Sequence, residues 1–430
     1  MIERERPLLA NSLWEATANQ VLPRRHLGES LTVDTAIVGA GFAGLSCALH
    51  LAERGLKPVV IEARTPGWGA SGRNGGQVIP GLKEDPDTIE KLYGPEMGGR
   101  MVRISGEGPS LVFDLIRRYG IECDLQDNGW IQAAHDSSAL DLLARRAEQW
   151  QRRGAKIEHL SKSETARLIG SGAYAGGTLD RRGGSVHPLN YALGLAAAVR
   201  SLGVDIYSDS PAESLEKTGQ GFLIKTPHGE VRAKQVALCT NGYTDHLWPG
   251  LAKTVVPFRS IQVATKPLSE NVRRSIFPEG HVSSDTRRLL NYFRLDATGR
   301  LLMGGRGGFT DAGLRSRFSV LKHVTHRLFP QIGEVEWEHA WGGLVAMTQD
   351  HFPHLNEPAP GLHAALGFNG RGVAMATALG KVLAERLAGK AVEDLDFPVT
   401  QPNRIPFYGL RKPAVTSLVV WYGLRDRLGF

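Results

Sequence analysis

Val33-Asp-Thr-Ala-Ile-Val-Gly-Ala-Gly-Phe-Ala-Gly44, followed by an apolar-periodic run to Gly55 and by Pro58-Val-Val-Ile-Glu62, decides the fold of this chain. Val33, Ala36, Ile37 and Val38 read as a short buried strand, and Leu45, Ala48, Leu49 and Ala52 recur at helical spacing up to Gly55, a residue suited to a helix C-terminus. Pro58-Val-Val-Ile61 is the returning strand, so the whole is a βαβ unit of the kind that binds dinucleotides. Gly39 permits the tight turn, Gly41 lets a pyrophosphate approach the backbone, and Gly44 lets the helix pack closely on the strand. The helix N-terminus at Phe42 and Ala43 offers unpaired N–H groups and a partial positive charge to phosphate. Glu62, with Ala63 and Arg64 after it, suits a bidentate contact to ribose hydroxyls rather than to a 2′-phosphate, which disfavours NADP and leaves NAD or FAD.

Three more glycine-rich turns decide between those two. Gly67-Trp-Gly-Ala-Ser-Gly-Arg-Asn-Gly-Gly-Gln77 follows the acid directly, and a simple NAD domain has no use for so long a polar loop there. FAD is longer, and needs the chain to follow its ribityl and pyrophosphate toward the ring. Ser71 and Arg73 suit the phosphates, and Gly72 belongs to the same turn. The backbone of Asn74, Gly75, Gly76 and Gln77 suits the flavin edge near N5. Thr240-Asn241-Gly ends a buried strand, and Gly367-Phe-Asn-Gly-Arg-Gly372 precedes a last helix. N–H groups from Gly370, Arg371, Gly372 and Val373, with Gly367 and Asn369 shaping the turn, would stabilise the negative charge that a reduced flavin gains. The expected cofactor is FAD, and no metal is expected.

The rest of the chain is an ordinary globular composition of 430 residues, 42% hydrophobic, without repeats or low-complexity linkers. Cys47, Cys123 and Cys239 stand far apart with no metal-binding spacing. Met1–Pro7 alternates charge without an apolar run, and no segment is apolar enough to span a bilayer, so the expectation is a cytoplasmic protein. Arg404, Arg411, Lys412, Arg425 and Arg427 face only Asp426, so the last thirty residues carry more than half of the net +7. With Leu418-Val-Val-Trp-Tyr422 this tail suits an anionic membrane surface or a redox partner or, the favoured reading, a cover over an exposed part of the protein or a subunit interface.

Helical periodicity covers Asp87–Arg118, Ser138–Arg153, Pro188–Leu202, Leu314–Leu328 and Val373–Leu387. Alternation marks strands at Gly129–Ala133, Arg259–Thr265, Leu289–Leu295 and Arg300–Gly304. The expected fold is α/β plus α+β: a Rossmann-like FAD-binding domain over 30–85, 150–250 and 339–395, interleaved with an antiparallel-sheet substrate domain over 86–149 and 251–338. The basic tail is 396–430.

Gly69-Ala-Ser-Gly-Arg-Asn-Gly-Gly-Gln77, Gly184-Ser-Val-His-Pro-Leu189, Trp341-Gly-Gly, Gly367-Phe-Asn-Gly-Arg-Gly372 and Tyr422-Gly-Leu-Arg-Asp-Arg-Leu-Gly429 resemble the FAD-dependent amine and amino-acid oxidoreductases of the D-amino-acid oxidase superfamily. Within it, the resemblance is strongest to the γ-glutamylputrescine oxidoreductases and their paralogues, with pipecolate, proline and sarcosine oxidases as neighbours. It implies oxidation of a C–N bond, hydride passing to flavin N5 and the imine hydrolysing, with a small amine or amino acid as substrate and oxygen or another electron acceptor. It also places Gly342 at the cofactor. Sarcosine oxidases hold flavin through a cysteine at the position matching Gly343, so non-covalent FAD is expected here. Their oxygen-activating lysine is matched by Leu302, beside Met303, which puts oxygen as acceptor in question.

The candidate substrate-side residues are Trp341, Gln349, Asp350 and His351, with Tyr292, Arg294 and Arg306 on strands assigned to the pocket wall. His351 or Tyr292 is suited to accept a substrate N–H, and Arg306 to bind a carboxylate. Asp350 is read as fixing its loop, and His187 as a structural residue at a helix start. Two rivals stand beside the amine oxidoreductase. One is a related oxidase domain of a tRNA-modifying enzyme, disfavoured because the positive charge sits in a short tail without RNA-binding motifs, so no nucleic-acid partner is expected. The other is a protein that binds FAD without catalysis.

Overall fold

The computed structural model describes residues 12–308, 314–417 and 421. Two sheets divide the molecule. The first has nine strands, and its centre is Ser30–Val38, flanked in parallel by Val59–Ile61 on one side and Glu230–Leu238 on the other. Ile206–Tyr207 extends one edge in parallel, and Leu362–Leu366 lies beyond Glu230–Leu238. Strands Ser214–Thr218 and Gly221–Lys225 form an antiparallel hairpin onto Glu230–Leu238. The second sheet has eight strands and is antiparallel except where Val282–Asp285 runs parallel to Trp130–Ala134.

The sheet pairing redraws the expected domain boundaries. Ile157–Leu160 and Gly176–Asp180, assigned by sequence to the FAD-binding domain, pair beside Trp130–Ala134 in the second sheet. Trp337–Met347 likewise pairs with Val256–Pro267 in that sheet rather than starting the return to the first. Conversely Pro86–Arg118, assigned to the substrate domain, is a helix kinked at Gly94 that packs on helix Gly372–Leu387 and joins the core of the first sheet. Its apolar stripe, from Ile89 to Ile116, finds its complement on that helix, whichever sheet follows in sequence.

Helices Phe42–Ala52, Pro188–Ser201 and Gly372–Leu387 pack together over the first sheet. Two glycines permit this. A Cβ on Gly44 would stand 1.9 Å from the Gly39 carbonyl oxygen, and one on Gly380 would stand 2.5 Å from the Ala43 carbonyl oxygen. The first brings helix Phe42–Ala52 onto its strand, and the second brings helix Gly372–Leu387 against Phe42–Ala52. The two helix N-termini thereby open on the same space. On the second sheet, Leu314–Leu328 closes a separate core around Phe293 and Phe329.

The N-terminal segment contributes more than the sequence reading anticipated. Helix Leu13–Ala16, capped by Ser12, carries Trp14 into a small apolar cluster with Leu302, Ala264 and Trp341. Leu418–Val420 and Tyr422–Phe430, which hold most of the apolar tail motif and two of its five basic residues, lie outside the described residues. No helix of the described residues is long and apolar enough to cross a membrane.

Candidate active site

A cavity of about 1120 Å³ runs between the two sheets. At one end stand Val38, Gly39, Gly41, Ile61, Glu62, Ala63 and Arg64, and Thr240 and Asn241 lie beside them. The opposite end is walled by Lys83, Glu84, Phe258, Arg306 and Arg371.

At the first end Glu62 is held from both sides. Its Oε2 accepts the Ala40 N–H at 2.7 Å and its Oε1 the Arg64 N–H at 2.9 Å. Burial raises its pKa, and these backbone donors oppose that rise. Each oxygen keeps a lone pair, so the carboxylate can still accept two hydroxyls in parallel. Both flanking helices start without a side-chain cap of their own. At the first, Ser71 Oγ accepts the Phe42 N–H at 2.9 Å, which leaves the hydroxyl proton for an anion. At the second, Gly370 sits at φ +84° and a Cβ there would meet nothing within 4 Å, so the turn borders open space. Asn369, at φ +51°, accepts the Thr348 N–H at 3.0 Å, while Asn241 accepts the Gly367 N–H at 2.9 Å. The two asparagine side chains thus tie the turns to their neighbours.

In the middle, Arg73 lies over the Trp68 ring at 4.4 Å and donates to the Trp68 carbonyl at 2.8 Å. Tyr292 is wedged between two glycines: a Cβ on Gly75 or Gly304 would stand 2.7 or 2.0 Å from its ring. Its hydroxyl shares a 2.9 Å hydrogen bond with Ser260, and burial pushes its pKa up to about 12, so it is a neutral phenol across the physiological range. Gln77 Oε1 and Gln262 Oε1 are buried acceptors without a partner among the described residues, and both side chains line this part of the cavity. Such acceptors call for a donor on whatever fills the space.

At the far end three cations converge. Lys83 is exposed to solvent, and partial desolvation in the cleft, with Arg306 and Arg371 nearby, lowers its pKa to about 8 against the opposing pull of Glu84. Arg371 is lowered to about 9 by burial and by Arg146, with Asp180 opposing. Its guanidinium lies 5.1 Å over the Trp130 ring and donates to the Pro80 carbonyl at 3.3 Å. The sequence reading used only the Arg371 backbone and missed Lys83, which no local pattern marks.

Of the seven substrate-side candidates only Tyr292 and Arg306 line the cavity; Trp341, Gln349, Asp350, His351 and Arg294 do not. His351 is half-exposed, in a left-handed turn at φ +61°, with Nδ1 3.7 Å from Glu84. The chain leaves the second sheet after Met347, so sequence proximity to Trp341 does not carry it to the wall. Trp341 is fully buried behind the wall, its indole N–H donating to the Arg73 carbonyl at 3.0 Å. Arg294 also lies behind the wall rather than on it. Asp350 accepts the Phe352 N–H at 3.1 Å and pairs with His354 at 3.0 Å, and His187 caps helix Pro188–Ser201. Gly44, Gly72, Gly76 and Gly367 also stand back from the lining and act through close packing, and Gly342 too is absent from the lining. The three cysteines are free and buried.

These residues fit a long dinucleotide. An acid with two open acceptor sites, two helix N-termini without a cap from their own N-cap residue, a glycine facing open space and orphaned acceptors line a single cavity.

Comparison with known proteins agrees with this geometry. Residues 34–386 match the family described as FAD dependent oxidoreductase, DAO. Gamma-glutamylputrescine oxidoreductase of Escherichia coli (strain K12) is 37% identical over 427 residues, covering 97% of this chain and 99% of that protein. A probable oxidoreductase, OrdL, of Haemophilus influenzae is 33% identical, covering 90% of each chain. Among solved structures, glycine oxidase from Geobacillus kaustophilus superposes with a TM-score of 0.70 at 24% identity, covering 84% of this chain and 96% of that one. The chain belongs to the FAD dependent oxidoreductase family, and FAD is its cofactor.

Proposed function

We propose that this chain oxidises the C–N bond of a small amine bearing a distant carboxylate, with γ-glutamylputrescine as the leading substrate. The observation that carries this reading is the convergence of Lys83, Arg306 and Arg371 at the far end of the cavity, beside Glu84. A γ-glutamyl amine has a carboxylate for those cations and an ammonium for Glu84 at one end, and an oxidisable amine at the other. The 37% identity to the Escherichia coli enzyme supports the same choice.

In this reading Glu62 holds the ribose, Ser71 and the helix at Phe42 hold the pyrophosphate, and the 73–77 loop and the Gly370–Val373 helix start border the ring. Bound FAD supplies the two-electron acceptor. The protein's part is to bind, orient and select the protonation state. Only a neutral amine gives up hydride readily, so the site has to take the reacting amine in its deprotonated form. Tyr292, a neutral phenol hydrogen-bonded to Ser260, orients without acting as a base.

The test is the anaerobic visible spectrum of the purified holoprotein, with single additions of γ-glutamylputrescine, putrescine, sarcosine, proline, pipecolate and glycine. Bleaching by γ-glutamylputrescine but not putrescine supports the reading, and re-oxidation in air separates an oxidase from a dehydrogenase. Bleaching by proline, pipecolate or sarcosine alone moves the substrate to a cyclic or N-methyl amino acid. A flavin that none of them bleaches overturns the choice.

A further inference from the structure

The loop from Arg73 to Gly76 is gripped from behind. The Arg73 carbonyl accepts two hydrogen bonds, from Gln262 Nε2 at 2.7 Å and Trp341 Nε1 at 3.0 Å. The Asn74 carbonyl accepts the Trp14 indole N–H at 2.8 Å, and the Gly75 carbonyl accepts Arg294 Nε at 2.8 Å. The Gly76 carbonyl accepts the Val186 N–H at 2.8 Å. Consecutive carbonyls are therefore all drawn in and pinned. Of the four side-chain donors, Trp14, Trp341 and Arg294 are buried and stand outside the cavity lining, whereas Arg73, Asn74 and Gly75 line it.

A trans peptide holds its C=O and the following N–H on opposite sides. No peptide bond of the described residues is cis. Drawing the 73 and 74 carbonyls into the body of the protein turns the Asn74 and Gly75 N–H groups toward the cavity. Neither N–H has a protein partner among the described residues. A donor on the carbonyl also polarises the peptide, so the exposed N–H becomes a better donor itself.

Arg294 adds a charge to this dipole set. Its hydrogen bonds go to the Gly75, Val186 and Leu295 carbonyls and the Ser185 hydroxyl, all neutral groups. Burial lowers its pKa to about 10, with Asp296 and Asp124 opposing, so the guanidinium stays charged at neutral pH. In a buried setting an unscreened cation acts over several ångströms.

We propose that Trp14, Gln262, Arg294 and Trp341 are positioning residues that set the reduction potential of the flavin, by fixing and polarising the Asn74 and Gly75 N–H groups against the electron-rich edge of the reduced ring. The inference rests on the ring lying against this loop, as in the proposed function. It asks nothing of the substrate.

The test is the midpoint potential of the holoprotein, measured by dye equilibration during enzymatic or photochemical reduction, so that no amine is needed. Arg294→Met and Trp14→Phe are compared with the unsubstituted protein, and Arg294→Lys restores the charge without the planar fork. Each donor removal is expected to weaken binding of reduced relative to oxidised flavin about tenfold, which lowers the potential by about 30 mV for this two-electron couple. Arg294→Lys is expected to recover part of that fall. Sulfite addition to the ring, which responds to the same field, is expected to weaken in parallel. Should Arg294→Met fail to retain FAD, Trp14→Phe and Trp341→Phe carry the test. Full flavin content with an unchanged potential and sulfite affinity in those variants overturns the inference. A protein that binds no FAD overturns the reading beneath it instead.

Discussion

Trp14 and Trp341, from opposite ends of the chain, stand edge to face at 5.9 Å and donate their indole N–H groups to the carbonyls of neighbouring residues, Asn74 and Arg73. One comes from a short helix ahead of the first strand, the other from the edge strand of the second sheet. The cofactor-side loop is therefore a joint product of both sheets and the N-terminal segment, and parts of the molecule far from the βαβ unit are expected to register in the flavin.

Glu62→Gln is expected to weaken FAD. Both carboxylate oxygens accept backbone N–H groups, and an amide nitrogen in place of one would face a donor with a donor. The loss of a buried, charge-assisted pair costs about 1.5–3 kcal/mol, or roughly ten- to a hundredfold in Kd. Fluorescence quenching of FAD by apoprotein measures it, and an unchanged Kd would remove Glu62 from the ribose.

Gly44→Ala is expected to lower stability and flavin content together. The added methyl would meet the Gly39 carbonyl, a backbone atom that cannot swing aside, and such overpacking costs about 1–3 kcal/mol or more. Thermal unfolding and the flavin-to-protein absorbance ratio report the two losses.

Lys83 gives the far end a pH dependence. Its pKa of about 8 means that the charge is present below that pH and lost as pH rises through it. Affinity for glutarate, a dicarboxylate without an amine to titrate, is expected to fall above pH 8. Lys83→Met is expected to bind it about tenfold more weakly at pH 7, the usual scale for one charged hydrogen bond, and to flatten that limb. Calorimetric titration at several pH values would show a retained limb if another group were responsible.

Tyr292→Phe is expected to reduce kcat by less than about tenfold without moving the pH–rate profile, because a phenol with a pKa near 12 has no free base form to lose. A general base in this position would cost roughly a hundredfold or more. His351→Ala, outside the cavity, is expected to leave kcat and KM within about twofold, on the usual scale for surface changes.

Much of the nucleotide-binding half was legible because its chemistry is local. Strand, glycine turn, helix and acid from Val33 to Glu62 lie within one stretch, and on the second sheet helix Leu314–Leu328 falls where periodicity puts it. What escaped is non-local. Gly176-Gly-Thr-Leu-Asp180 has little alternation, and becomes a strand through pairing with Trp130–Ala134 and Ile157–Leu160. Lys83 matters only because Arg306 and Arg371 arrive beside it, and Trp14 sits in a helix too short for any period to show. His351 is near Trp341 in sequence and not at the cavity wall in space, because the chain turns away at Met347.

The central strand Ser30–Val38 pairs with Glu230–Leu238, which in turn pairs with Leu362–Leu366. On a ribosome the phosphate-binding turn emerges long before its neighbours, and contacts of such sequence separation form late and slowly. A nascent chain ending before Leu362 would carry the complete βαβ motif and yet lack a wall of the cavity. Flavin retention thus becomes a marker of finished synthesis: truncated or stalled chains would be colourless, whatever their glycine motifs.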